Sequence, residues 1–418
     1  MAKKSFWRVG HAPTLLSSFL YFDISFMIWN LLGALGVFIA EQFALTPAEK
    51  GLMVAVPVLG GALLRIPMGL LADRWGGKRA GLLGMAVTAV PLVWGWQFAD
   101  QMSDVYALGF LLGVGGASFA VALPLASRWY PKEYQGLAMG IAGAGNSGTV
   151  LATLFGPRLA EAYGWNTVFG LALVPLAVVF ALFALLARDC PTAVKPVSMR
   201  EYGTVLRRKE AWLFCFFYSL SFGGFVGLTG YLGIFFFDEY GVSKVTAGDF
   251  VTAVVFAGSF IRPIGGYIAD RIGGMRLLSL LFAAGAVLLV CIGALPPLFV
   301  VFGLMLVLFL CFGAANGALF QVVPTWFPKE VGLLTGIIGA AGGLGGFLLP
   351  NVLGGMKQWT GSSAYGFWML AFVFMVAVMA ARRLPRNDGC DRIVLSKSGR
   401  MNGVTQRDVA NFQRKSFD

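Results

Sequence analysis

The sequence predicts an all-α membrane protein with 12 transmembrane helices in two pseudo-symmetric six-helix halves. Three observations predict this: scarce charge, about twelve apolar stretches, and an internal repeat. Of 418 residues 58% are hydrophobic and only 12% are charged, whereas a soluble domain carries about a quarter charged residues. A helix of about 20 apolar residues crosses the hydrocarbon core. Such stretches occur at 14-40, 47-72, 79-99, 105-130, 135-157, 165-187, 211-237, 247-270, 276-295, 298-326, 332-356 and 364-383. The repeat pairs Arg65-Ile-Pro-Met-Gly-Leu-Leu-Ala-Asp73-Arg-Trp-Gly-Gly-Lys-Arg79 with Arg262-Pro-Ile-Gly-Gly-Tyr-Ile-Ala-Asp270-Arg-Ile-Gly-Gly-Met-Arg276 at an offset of 197. Trp129-Tyr-Pro-Lys-Glu133 and Trp326-Phe-Pro-Lys-Glu330 keep that offset, so each half carries six spans.

The halves run over 1-188 and 211-383, joined by a polar linker at 189-210 and followed by a basic tail at 384-418. The first span follows Met1 to Arg8 without a small-residue cleavage site and reads as a retained helix. With the amino terminus placed in the cytoplasm, 26 of the 32 basic residues fall on cytoplasmic segments, and Lys50, Arg158, Lys244 and Lys357 fall opposite. The positive-inside rule then puts both termini of an inner-membrane protein in the cytoplasm. The net charge of +12 follows from that topology and calls for a lipid bilayer, not a nucleic acid. Five cysteines without paired spacing and the single His11 suggest no disulfide, metal site or other cofactor. No catalytic cluster points to an enzyme.

Helices 2 and 8 carry the two basic residues left over, Arg65 and Arg262. Each precedes its loop aspartate by 8 residues, which is roughly 12 Å of helix. An arginine at bilayer depth costs at least about 2.5 to 3.5 kcal/mol, so it should face a polar interior. The repeat sets both beside one central cavity between the halves. Asp23 in helix 1 is the single carboxylate within a span and away from its ends, so a bound anion is the natural neutraliser. The guanidinium fork suits a planar oxyanion, nitrate or a carboxylate. Aromatic residues recur around these positions: Phe119 in helix 4, Tyr218 and Phe222 in helix 7, and Phe320 in helix 10.

Helices 5 and 11 contain the runs Gly136 to Gly148 and Gly332 to Gly346, whose small residues allow close helix approach. Asn146 adds a buried amide. In the loops after helices 2 and 8, Asp73 with Arg74 and Asp270 with Arg271 form a latch that one conformation has and another lacks.

These residues resemble the nitrate/nitrite porter family of the major facilitator superfamily. The likeness runs through about residues 15 to 383. It rests on Arg65 and Arg262 ahead of the signature loops, on Gly140-Ile-Ala-Gly-Ala-Gly-Asn146-Ser-Gly148 with its partner Gly336 to Gly346, on Gly116-Ala-Ser-Phe119, and on Tyr218-Ser-Leu-Ser-Phe222-Gly-Gly-Phe225. Thr149 departs from the family's glycine run, and Gly342 stands at the repeat position of Asn146. The resemblance implies a major facilitator fold in which both arginines bind nitrate. It further implies that Phe119, Tyr218 and Phe222 shape the site and that Asn146 adds a hydrogen bond.

A short inter-half loop is similar to the proton-coupled importers of that family, with the nitrate/nitrite antiporters as the alternative. Small carboxylates such as formate or oxalate are alternative cargo. Asp23 has two readings: a proton carrier beside the anion, or an ionised structural partner of Arg65 or another donor. Alternating access of a monomer, with nitrate, nitrite and protons as its small partners, is the expected mechanism.

Overall fold

The computed structural model describes residues 6–191, 203, 205–327 and 331–383. Much of the linker at 189-210 and the whole tail at 384-418 therefore lie outside the described residues, as do 328–330 of the second Trp-x-Pro-Lys-Glu motif.

Twelve helices are long and apolar enough to cross a membrane: α1 (Ala12–Trp29), α2 (Pro47–Trp75), α3 (Gly77–Gln97), α4 (Met102–Ser127), α5 (Leu137–Tyr163), α6 (Trp165–Leu186), α7 (Lys209–Tyr240), α8 (Lys244–Ile272), α9 (Gly274–Gly293), α10 (Leu298–Val323), α11 (Leu334–Thr360) and α12 (Ala364–Arg383). Large apolar side chains point outward around the bundle, among them Phe299, Leu185, Phe372 and Val174. Such an apolar exterior is stable in lipid, where water is absent and each helix satisfies its own backbone.

Local chemistry sets the helix ends. Thr46 and Glu49 form a capping box ahead of Pro47, which occupies the first turn of α2. Helices α2 and α8 run three and two residues beyond the ends expected at 72 and 270, so Asp73, Arg74 and Arg271 join Asp270 in last helical turns, not in loops. The helices stop where Gly76 and Gly273, equivalent in the repeat, each adopt φ 92°. That backbone conformation strains any residue with a Cβ.

Several helices break at mid-membrane. α1 is interrupted at Asn30 and Leu35 and continues as Leu31–Ala34 and Gly36–Gln42. Asn30 donates to the Phe26 carbonyl at 2.8 Å and to Thr149 on α5 at 3.1 Å. α4 breaks at Ser118, α8 at Ile261 ahead of Arg262 and Pro263, and α5 tightens to a 3-10 turn over Ala144–Ser147. Proline and tight turns free backbone groups and redirect side chains. Three of these five interruptions sit at or next to a predicted site residue: Phe119, Arg262 and Asn146.

The two sets of six helices meet tightly at the end remote from the chain termini. There the backbones of Gly51 and Pro350 approach, as do those of Gly354 and Pro47, and a Cβ on Gly33 would lie 2.7 Å from the Gly230 Cα. Four basic residues close the same end. Lys50 on α2 pairs with Asp238 on α7 at 2.8 Å, Arg158 on α5 with Asp249 on α8 at 2.7 Å, and Lys244 on α8 with Glu41. Lys357 reaches Glu239 at 2.6 Å within the second set. At the end of Ala12 and Arg383, a Cβ on Gly140, Gly143 or Gly336 would meet nothing within 4 Å.

Candidate anion site

At the centre of the bundle Arg65 is 3% exposed. Its Nη2 donates to the Gly116 carbonyl at 3.0 Å and its Nη1 to the Gly339 carbonyl of α11. One guanidinium thus spans both sets of helices. It also lies over the rings of Phe119, at 5.4 Å, and Phe222, at 5.7 Å. Arg262 approaches Phe222 at 5.9 Å and Phe225 at 5.2 Å. Both guanidiniums therefore lie close to the Phe222 ring, whose negative face attracts a cation. Two cations around one ring still repel each other, and among the described residues neither makes an ion pair with a carboxylate.

Their hydrogen bonding differs. Arg262 Nε and Nη2 are buried without any partner, whereas on Arg65 only Nε is left so. A buried N–H without an acceptor costs free energy that a bound oxyanion would recover.

Aromatic rings wall this space. Tyr218 and Phe222 stack at 4.9 Å with an interplanar angle of 1°, Phe320 stands edge-on to Tyr218 at 5.4 Å, and Phe119 lies 6.5 Å from Phe320. Positions 218 and 222 share a helix face because they are one turn apart. The glycines of α11 seat this wall: a Cβ on Gly342 would lie 2.5 Å from the Tyr218 ring, and one on Gly339 would lie 3.0 Å from Arg65 Nη1. The run in α5 acts toward α1 in the same way, since a Cβ on Gly145 would lie 2.8 Å from the Phe19 carbonyl.

Asn146 is 2% exposed and donates to Ser259 Oγ on α8 at 3.0 Å, while its Oδ1 is unpaired. The 3-10 turn that presents it also carries Ser147, whose hydroxyl donates to Asp23 Oδ1 at 2.6 Å. Asp23 is therefore tied to α5 and not to Arg65. The suggested latch residues diverge: Asp73 accepts from Arg128 at 2.7 Å and not from Arg74, which is exposed. Asp270 is exposed, and Arg271 donates to the hydroxyl of Tyr267 and lies 4.4 Å from its ring.

The structure thus gathers Arg65, Arg262, Phe119, Tyr218, Phe222 and Phe320 at one centre, with Asn146 reaching across to α8 beside it. Sequence reasoning quoted Phe225 within a motif but gave it no role in the site, although its i+3 spacing from Phe222 was a signal, and it passed over Ser259, which had none. The Gly116 and Gly339 carbonyls that hold Arg65 carry no side-chain signature at all.

A bundle of twelve such helices in two related sets, with two arginines between them that make no ion pair among the described residues, describes a carrier. The model of the Major Facilitator Superfamily matches residues 17–325. The chain belongs to the major facilitator superfamily. Its curated relatives place it more narrowly, among the nitrate/nitrite transporters of that superfamily. It is 35% identical to the "Nitrite extrusion protein" of Bacillus subtilis over 84% of this chain and 89% of that one. It is 36% identical to the "Probable nitrate/nitrite transporter NarK2" of Mycobacterium tuberculosis over 82% and 89%. With the "Probable nitrate/nitrite antiporter NarK1" of Thermus thermophilus it shares 30% identity over 89% and 90%. Among solved structures, a bacterial homologue of the human lysosomal transporter Spinster, in an inward-facing and occupied conformation, superposes with a TM-score of 0.68 at 19% identity, covering 88% of this chain and 96% of that one. That similarity concerns the fold alone. The protein is a multi-pass membrane transporter and not an enzyme.

Proposed function

We propose that this major facilitator protein carries nitrate and nitrite across a bacterial inner membrane by alternating access, binding the anion between Arg65 and Arg262 near the bilayer midplane. The buried, unpartnered Nε and Nη2 of Arg262, on a side chain that shares the Phe222 ring with Arg65, carry this reading. A planar oxyanion accepts from such a fork and offsets the repulsion between the two guanidiniums. The names of the relatives support nitrate and nitrite over formate or oxalate.

With both termini in the cytoplasm, the closed end bearing Lys50, Arg158, Lys244 and Lys357 faces outward, and this is the inward-facing state. The halves, 1-188 and 211-383, rock about the anion. Binding favours closure because the cavity can then shut around a neutralised pair of arginines.

The transporter is proposed to couple nitrate import to protons through Asp23. Asp23 holds the Ser147 hydroxyl at 2.6 Å, and Ser147 adjoins Asn146 on the same 3-10 turn. A proton on Asp23 would remove the charge that fixes this turn and so alter how Asn146 is presented. Exchange of nitrate for nitrite is the second reading, and the antiporter relative favours it.

Proteoliposomes separate the two. Nitrate uptake is measured with an inward proton gradient or with internal nitrite, using Arg262→Lys as the control. Symport predicts accumulation driven by the gradient alone; exchange predicts uptake only with internal nitrite. Uptake of formate in place of nitrate under both conditions would sink the nitrate assignment, and Arg262→Lys should lower whichever flux is seen.

A further inference from the structure

Asn316, on α10, is 1% exposed, and neither its Nδ2 nor its Oδ1 has a hydrogen-bond partner. A fully buried primary amide with both ends unpaired is rare, because native interiors pair almost all such groups. Its place in the fold accounts for it. At the offset of 197 that relates Arg65 to Arg262, Gly116-Ala-Ser-Phe119 corresponds to Gly313-Ala-Ala-Asn316. The correspondence holds in three dimensions: a Cβ on Gly69 would meet the Ala120 Cβ at 3.7 Å, and a Cβ on the equivalent Gly266 would meet the carbonyl of the equivalent Gly317 at 3.6 Å.

Asn316 therefore occupies the position of Phe119, whose ring lies 5.4 Å from the Arg65 guanidinium. It lies one helical turn from Phe320, a wall residue 5.4 Å from Tyr218. A Cβ on the adjacent Gly317 would strike the backbone carbonyl of Arg262 itself. The second six-helix half thus sets an amide where the first sets a phenyl ring, beside the arginine whose Nε and Nη2 lack acceptors.

We infer that Asn316 is a further anion-binding and specificity-determining residue: its Nδ2 donates to the oxyanion held by Arg262, and its Oδ1 then accepts from the Arg262 Nε–H and orients the fork. This rests on the proposed anion site and adds to it a neutral donor. An amide donor favours a ligand with several coplanar acceptor oxygens over a spherical halide.

The test is ligand-induced thermal stabilisation of the purified full-length transporter, titrated with nitrate, nitrite, formate and chloride, for the wild type, Asn316→Leu and Asn316→Ser. Asn316→Leu removes an unpaired buried amide at nearly constant volume, so its melting temperature without ligand should equal or exceed that of the wild type. Its Kd for nitrate should rise about tenfold, the worth of one hydrogen bond to a charged ligand, and its preference for nitrate over chloride should narrow. Asn316→Ser, which keeps a donor, should fall between the two and serves as the reading if the leucine variant does not fold.

Unchanged nitrate affinity in a folded Asn316→Leu or Asn316→Ser would overturn the inference while leaving the anion site intact. So would a large drop in the ligand-free melting temperature with the nitrate shift preserved, since Asn316 would then be a packing residue. A wild type stabilised by formate but by neither nitrate nor nitrite would overturn the nitrate assignment instead, and the same tenfold loss read with formate would still support Asn316. Stabilisation by none of the four would overturn both.

Discussion

Arg65 and Arg262 occupy equivalent places in the two halves, yet their guanidiniums are held in opposite ways. Arg65 is anchored by two backbone carbonyls, one from its own half at Gly116 and one from the other half at Gly339. Arg262 leaves two buried N–H groups without acceptors. The surroundings diverge in parallel: Phe119 against Asn316, Asn146 against Gly342, and an Asp73–Arg128 ion pair against Asp270, whose expected partner position is Thr325. Duplication supplied the frame and divergence divided the work. On the proposed function, the first arginine is a strut between halves that also faces the ligand, and the second is the grip.

The comparison breaks most readily on the arginines themselves. Arg262→Ala should weaken nitrate binding by about 30-fold to 3,000-fold, since removing one partner of a buried charged hydrogen bond costs about 2 to 5 kcal/mol. The ligand-free protein should lose little stability. Arg65→Ala should lose less affinity but melt at a lower temperature, because two hydrogen bonds and a tie between halves are gone. Calorimetric titration alongside thermal melting reads both quantities. Equal affinity losses with equal melting temperatures would show that the halves are functionally symmetric after all.

Asp23 sharpens the comparison, because its repeat counterpart is Leu220, which cannot carry a proton. Asp23→Asn keeps an acceptor for the Ser147 hydroxyl and removes the titratable group. Proton-driven nitrate accumulation in proteoliposomes should fall roughly tenfold, to the level seen without a gradient, if coupling contributes about 1.4 kcal/mol of driving force. Exchange against internal nitrite should persist. Retention of gradient-driven uptake by Asp23→Asn would assign the carboxylate a purely structural role.

Most of the fold was legible because lipid imposes a coarse rule: twelve apolar stretches and a strict repeat leave few alternatives. Arg65, Arg262 and their aromatic neighbours were legible for a related reason, since a charge at mid-membrane is costly enough to mark its own position. Helix ends were less so. Asp73 and Asp270 read as loop residues because charge normally ends a span, whereas the chain stays helical until a glycine with positive φ at 76 or 273 releases it. The partners of the site were the least legible. The Gly116 and Gly339 carbonyls are backbone, and Ser147 and Ser259 are ordinary serines that only the crossing of α1, α5 and α8 makes meaningful. Lys50, Arg158, Lys244 and Lys357 appeared as bare exceptions to a charge bias, and the structure turns each into an ion pair at the closed end.

The smallest expected effect concerns the membrane-edge aspartates. Asp73 pairs with Arg128 at 2.7 Å, with side chains 24% and 28% exposed, so the pair sits where water and counterions screen it. Its worth is about 1 kcal/mol or less, and the pair links α2 to α4 inside one half. Asp73→Asn should therefore slow uptake only a few-fold, by loosening the helix pair that carries Arg65 and its Gly116 acceptor. Asp270→Asn, at an exposed residue with a threonine at the repeat position of Arg128, should change uptake less. A double-mutant cycle of Asp73→Asn with Arg128→Gln isolates the pair, and a coupling energy near zero would reassign Asp73 to the exposed class of Asp270. If Asp270→Asn proves the more damaging, the latch belongs to the second half, and the division of labour drawn from the arginines does not extend to the membrane edge.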